Sequence, residues 1–296
     1  MRFPVLLCCL LTCALSEAQT PKPATGTLVR LNPIFSDYVQ PRPVDVWLPP
    51  GYAAHRKYAV LYLHDGQMLF DSSITWNRQE WGVDETMGQL LNSGRIRDCI
   101  VVGIWNSGDT RHAEYFPEKP IRFLPDSSSR TLLPLLKNKP LADAYLRYLV
   151  YELKPLIDSS FATSPDRSAT FIAGSSMGGL ISLYALLEYP DVFGGAACLS
   201  THWPGIFTAN EAIPDVLAKY IAEHLPLPGN HRFYFDHGTE SLDSLYPRYQ
   251  QKVDTVMLQK GFKKNDWLTL VFRGDDHSET SWRRRLQIPL LFLLRK

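Results

Sequence analysis

An α/β fold, with a mostly parallel central sheet flanked by helices, is predicted for this 296-residue chain on three grounds. Strand-like runs alternate with helical patterns along most of the sequence, and a parallel sheet is wound that way because each crossover needs a helix-length connection. The run 58–63, Tyr-Ala-Val-Leu-Tyr-Leu, is apolar without alternation, as a strand covered on both faces must be. No repeat, low-complexity block or polar linker divides the chain, so residues 19–296 are expected to form one domain, long enough for a single sizeable core.

Taken in order, residues 26–31 and 42–49 read as opening antiparallel strands. Strands at 58–63, 99–105, 169–173, 195–199, 232–235 and 267–272 follow, rich in β-branched, aromatic and small apolar residues. Helical patterns lie near 83–92, 141–157, 180–188, 212–224, 242–260 and 279–294. Two stretches, 106–140 and 202–230, do not fit short connectors. Both follow strands at the edge where open α/β sheets bind ligands, so they are expected to supply pocket walls or a partial lid.

The amino terminus has one early cation, an apolar run too short to span a bilayer, and small residues at Ser16 and Ala18. That is the pattern of a secretory signal peptide covering 1–18, with the mature chain starting at Gln19 and the protein secreted or periplasmic. A lipoprotein signal at Cys13 is the weaker alternative, because Thr12 is a poor residue before a lipidated cysteine. Outside that segment only Cys99 and Cys198 remain, both in apolar strand-like runs. A disulfide between them is possible in an oxidising compartment, but two buried small residues are the default expectation. A formal net charge of +1 gives no footprint for nucleic acid or an acidic membrane surface. The apolar run 288–294 is too short for a transmembrane helix and fits the buried side of a final helix. His64, His237 and His277 fall on separate loops without metal-site spacing, and no glycine-rich phosphate cradle is present, so neither a metal nor a cofactor is expected. The sequence leaves the oligomeric state open.

The element Gly174-Ser175-Ser176-Met177-Gly178-Gly179 sits between an apolar strand-like run and a helical pattern. A nucleophile presented on a sharp strand-to-helix turn needs small residues two before and two after it, and Gly174 and Gly178 meet that demand around Ser176. The Met177 amide, at the start of the helix, is an expected oxyanion donor. Downstream, Arg273-Gly274-Asp275-Asp276-His277-Ser278 places His277 between the last strand and a helix carrying Trp282, where it serves as general base. The loop after 232–235 offers Asp236, Glu240 and Asp243 as the partner acid; Asp236 is expected still within the strand, and Asp243 is preferred over Glu240 because it lies where the loop becomes helix. After 58–63 comes His64-Asp65-Gly66-Gln67, whose Gln67 amide is the expected second oxyanion donor, Gly66 letting the backbone approach the bound carbonyl. Asn106, Arg111 and Tyr115 are candidate substrate contacts, although an Arg111–Glu114 ion pair bracing the loop is an equal alternative. His202 and Trp203 fit an aromatic wall near Ser176, and Trp203 as a packing anchor is the competing reading.

Together with Trp81-Gly82-Val83-Asp84-Glu85, Glu114-Tyr115-Phe116-Pro117, Tyr189-Pro190 and Gly238-Thr239-Glu240, these motifs make the chain similar, from about Val44 to its end, to the putative-esterase family of enterobactin, esterase D, feruloyl and acetylxylan esterases and mycolyltransferases. The resemblance implies an α/β-hydrolase fold and a serine carboxylic-ester hydrolase acting through an acyl-enzyme intermediate on a small-molecule ester, a siderophore, carbohydrate or aryl ester being the candidates. By the same resemblance the nucleophile falls on Ser176, the base on His277 and the oxyanion amides on Gln67 and Met177, while the acid does not transfer cleanly. An acyltransferase or peptidase using the same groups, or a ligand-binding member without catalysis, is the alternative.

Overall fold

The computed structural model describes residues 19–31, 33 and 35–296, so the signal-peptide and lipidation readings at 1–18 lie outside the described residues. Eight strands form one sheet: β1 (Thr27–Leu31), β2 (Val44–Leu48), β3 (Ala59–His64), β4 (Cys99–Ile104), β5 (Thr170–Ser175), β6 (Gly195–Leu199), β7 (Arg232–His237) and β8 (Trp267–Val271). Their spatial order is β1-β2-β4-β3-β5-β6-β7-β8. The β1–β2 and β2–β4 pairs are antiparallel and every later pair is parallel, which is the predicted α/β-hydrolase-type architecture.

The two-residue period of the strands splits the core into two apolar layers. Val60 and Tyr62, Ile100 and Val102, Phe233 and Phe235 face one layer. Their neighbours Leu61 and Leu63, Val101 and Tyr234 face the other. Burial on both faces is why these strands read as unbroken apolar runs.

The helices are α1 (Val83–Asn92), α2 (Arg111–Tyr115), α3 (Asp126–Leu135), α4 (Ala142–Arg147), α5 (Lys154–Ser160), α6 (Met177–Glu188), α7 (Ala212–His224), α8 (Pro247–Gln259), α9 (Glu279–Arg285) and α10 (Gln287–Leu294). Two of them, α2 and α3, lie in the 106–140 stretch that the sequence left without a pattern. The helix expected over 141–157 is interrupted by a π turn, Tyr148–Leu153. Pro155, lacking an N–H and pressing on the preceding turn, accounts for that widening. Likewise the pattern at 242–260 opens as a 3₁₀ turn, Ser241–Leu245, before Pro247 starts α8, a position where its missing N–H costs nothing.

Cys99 and Cys198 are free and fully buried. They sit on β4 and β6, three strand spacings or about 14 Å apart, beyond the reach of a disulfide. No helix among the described residues is long and apolar enough to cross a membrane.

Candidate active site

The chain after each of β3, β4, β5 and β8 contributes to one cleft of about 290 Å³ at the carboxyl end of the parallel strands, lined by Gln67, Asn106, Arg111, Ser176 and His277, with Trp76, Trp81, Glu279 and Trp282. Ser176 follows β5 directly, at φ 57 and ψ −122 on the end of α6. A side chain there is strained, and the strain is held by backbone bonds: Ser176 N–H donates to Leu199 O at 2.9 Å, and Ser176 O accepts from Gly179, Leu180 and His202. The glycines divide the steric work differently from the sequence expectation. A Cβ on Gly174 would stand 2.8 Å from the Gly178 backbone, and one on Gly179 would meet Thr201 Oγ1 at 2.9 Å, whereas a Cβ on Gly178 would make only ordinary contacts, 3.4 Å or more. The turn therefore requires glycine at 174 and close packing at 179 rather than at 178.

His277 lies in the loop leaving β8, just before Ser278, whose side chain caps α9 by accepting from Ser281 N–H. Its Nδ1 is 2.6 Å from Asp243 Oδ1. Asp243 is fully buried, and its second oxygen accepts from Ser200 Oγ and from the Gly238 amide, each at 2.6 Å. Burial alone would raise this carboxyl, but His277, Ser200 and the amide outweigh it and hold the group below its usual range. The Glu240 carboxylate is exposed and accepts from its neighbour Thr239. Of the two acids left open by the sequence, Asp243 is thus the one that reaches the imidazole. Gly238 is obligatory here, since a Cβ would lie 2.1 Å from Asp275 O.

Gln67 is central in the 3₁₀ turn Gly66–Met68, which follows Asp65 in the left-handed conformation at φ 57. Gly66 is needed for a different approach from the expected one. Its added Cβ would come within 2.6–2.8 Å of the Gly103 and Ile104 backbone, so the glycine seats the loop on β4. Met177 is the first residue of α6, where helix amides have no intrahelical acceptor.

The expected Arg111–Glu114 pair does not form. Arg111 makes a two-pronged contact with Asp65 at 2.7 and 2.8 Å, joined by Asn106 Nδ2 at 2.7 Å. Burial favours the neutral forms of both partners, yet the pairing prevails: Arg111 is driven up and Asp65 down. Glu114 instead pairs with buried Arg42 at 2.7 and 2.8 Å. Arg111 and Asn106 border the cleft, as expected, but Tyr115 does not. It is fully buried, its ring against His64 and Tyr145.

His202 and Trp203 are also corrected: neither is a cleft wall. Trp203, 1% exposed, donates to Gln250 and packs in the core. His202 is 2% exposed, accepts or donates with Tyr246 OH at 2.9 Å, and is pulled down to about 3 mainly by burial, with His277 and His112 adding to it. Tyr246 OH in turn lies near the Ser176 side chain. Sequence reasoning missed Tyr246, Ser200, Arg285, Trp76 and Glu279. Only the exposed tryptophan after a strand carried any signal, because the others act through partners distant in sequence. No cluster of metal-ligating side chains occurs among the described residues.

The family model described as Putative esterase matches residues 38–287. The chain belongs to this family. As a member it is an ester hydrolase. A relative in Bacillus subtilis (strain 168), the uncharacterized protein YbbA, is 24% identical over 240 residues, 78% of this chain and 84% of that one. Among solved structures, a ferulic acid esterase superposes with a TM-score of 0.67 at 20% identity, covering 91% of this chain and 98% of its own. The enterobactin esterase FES from Shigella flexneri superposes with a TM-score of 0.64 at 18% identity, covering 94% of this chain but 61% of that longer one. These likenesses show a shared fold.

Proposed function

We propose that this esterase is a secreted or periplasmic serine carboxylic-ester hydrolase working through a covalent acyl-enzyme. The observation that carries the reading is the 2.6 Å contact of buried Asp243 with His277, which shares a cleft with Ser176, the residue on the strained turn. In this reading Ser176 Oγ attacks the ester carbonyl while His277 Nε2 takes its proton, and the Gln67 and Met177 amides receive the developing oxyanion. Collapse expels the alcohol, protonated by His277, and a water activated by the same imidazole releases the acid. Buried Asp243 fixes the tautomer with Nδ1–H toward itself and stabilises the imidazolium.

For the substrate we propose small esters bearing an aryl, carbohydrate or siderophore group. The tryptophans at 76, 81 and 282 offer flat apolar faces, and Asn106, Arg111 and Glu279 offer polar anchors beside them. The similarity to a ferulic acid esterase and an enterobactin esterase supports the same choice. Secretion rests on the pattern of residues 1–18.

Labelling with a fluorophosphonate probe, followed by hydrolysis of a panel holding a catecholate siderophore, feruloylated and acetylated sugars and short aryl esters, tests the reading. Wild-type protein should label and turn over at least one class. Labelling that persists in Ser176→Ala, or no turnover of any ester by labelled wild type, would overturn it.

A further inference from the structure

At the opposite end of the sheet from Ser176, where β5 to β8 begin, lies a cavity of about 510 Å³ bordered by Arg97, Arg232, Arg295, Asn230, His231 and Asp266. The three guanidiniums come from the chain before β4, the first residue of β7 and the chain after α10. None of them forms an ion pair with a carboxylate among the described residues. They are held by neutral acceptors instead: Arg97 by Ser168 O and Arg295 O at 3.0 Å, Arg232 by Leu293 O at 2.6 Å, and Arg295 by Asn265 O at 2.6 Å. Arg97 and Arg295 also stack on Phe171 and Phe292. The guanidiniums are therefore fixed in place without being neutralised.

The balance of charge decides what the cavity can take. Asp266 is the one carboxylate in its lining. The carboxyl end of α10, which supplies several of the acceptor carbonyls, adds about half a negative charge. Set against three cations, these leave an excess of roughly one and a half positive charges. Burial, followed by the proximity of Arg295 and Arg97, pulls Arg232 down to about 10, while Arg42, Arg111 and Arg285, each beside its own carboxylate, are shifted upward. Burial and Arg167 lower His231 below its usual range, so it adds little charge at neutral pH.

From this convergence of three fixed, unpaired guanidiniums on one cavity we infer a second binding site, for a tetrahedral oxyanion: a phosphate or sulfate group. A phosphate monoester carries about −1.5 to −2 charges at neutral pH, which matches the excess, and guanidinium N–H forks fit its oxygens two at a time. The N–H groups of Arg232 and Arg295 not used on carbonyls remain to donate. The cavity exceeds a bare phosphate, leaving room for the sugar or glycerol that bears it. This site is independent of the ester-hydrolysing cleft and of the reading given to it.

Calorimetric titration of the purified protein with sodium phosphate and sodium sulfate, at ionic strength held constant with chloride, tests the site. Saturable binding is expected, weakened about tenfold or more in Arg295→Gln, tightened in Asp266→Asn, and unchanged in Ser176→Ala. Asp266→Asn keeps the test decisive should Arg295→Gln fail to fold, because it predicts a gain. Heat no greater than that of chloride, or affinity unmoved by Asp266→Asn, would overturn the inference. Glucose 6-phosphate and phosphatidic acid vesicles then distinguish a soluble source of the phosphate from a lipid one.

Discussion

Ser200 Oγ stands 2.6 Å from Asp243 Oδ2 and has only one direction in which to send its proton. Trp282 Nε1 and Arg285 Nη2 both lie within hydrogen-bonding distance of the same oxygen, at 3.0 and 2.8 Å, and both can only donate. With its acceptor sites filled, Ser200 must donate to Asp243. The carboxylate beside His277 is thus joined through one hydroxyl to the buried Arg285–Asp236 ion pair, 2.9 Å long. Removing the hydroxyl in Ser200→Ala takes one of the hydrogen bonds that hold the Asp243 carboxylate against His277 and should lower kcat. Two buried donors left unsatisfied should cost about 1–3 kcal/mol in unfolding free energy. Wild-type kcat in a folded but destabilised variant would confine Ser200 to a structural role.

Ser176→Ala should lower kcat by 10⁴ or more, roughly the loss seen when a serine nucleophile is removed, while the melting temperature holds or rises as the strained φ of 57 becomes the only residual cost. Paired measurement of turnover and thermal unfolding checks both halves. Residual hydrolysis near wild type would reassign the nucleophile.

Asp243→Asn should cost up to ~10⁴ in turnover, because an amide must turn its N–H₂ either on the imidazole, trapping the wrong tautomer, or on Ser200 and the Gly238 amide, which both donate to the other oxygen. Glu240→Gln, on an exposed side chain, should leave turnover nearly unchanged. Kinetics on the two variants decide between them, and a large defect confined to Glu240→Gln would transfer the role.

Stability should fall as pH rises through neutrality on account of Asp84. This fully buried carboxyl accepts the Ala24 and Thr25 amides and is raised from 3.8 to about 7, first by burial and then by its hydrogen bond to Glu85. Between those two values the folded state binds more protons than the unfolded one, so the contribution is present at pH 4 and lost by about pH 7–8. Asp84→Asn keeps the acceptor without the charge and should raise the melting temperature at pH 8 more than at pH 5. Equal shifts at both pH values would rule this out.

Trp76 is 85% exposed on the rim of the cleft. Trp76→Ala should raise KM for aryl esters several-fold with little change in kcat or stability, the pattern expected when a contact made equally in the ground and transition states is lost. Michaelis–Menten analysis on an aryl and a short alkyl ester separates a stacking face from an incidental surface residue.

The sheet was readable in the sequence because its strands are buried on both faces and so are almost wholly apolar, as β3 and β4 are. The strained turn was readable because its glycines are local. What escaped was whatever depends on partners far apart in the chain. Arg111 sits three residues from Glu114 yet pairs with Asp65, 46 positions away, and Glu114 pairs with Arg42, 72 positions away. Ser200, Trp282 and Arg285 likewise meet only once β6 and α9 are packed, and Tyr115, His202 and Trp203 read as cleft residues because aromatic side chains beside a site look the same in sequence whether they line it or support it.

The seating of Gly66 on Gly103 leaves the cleft with one rim that cannot drift and one that can. With no side chain between them, the Gln67 amide takes its position from the sheet rather than from the loop that carries it. A few residues further on, the chain that carries Trp76 has no such anchor in β4, so substitutions there are free to reshape what the cleft admits while the amide stays where the sheet puts it. Variation in preference among relatives of this chain should therefore collect on that outer rim, and engineering of new ester selectivity should begin at Trp76 and leave Gly66 and Gly103 untouched.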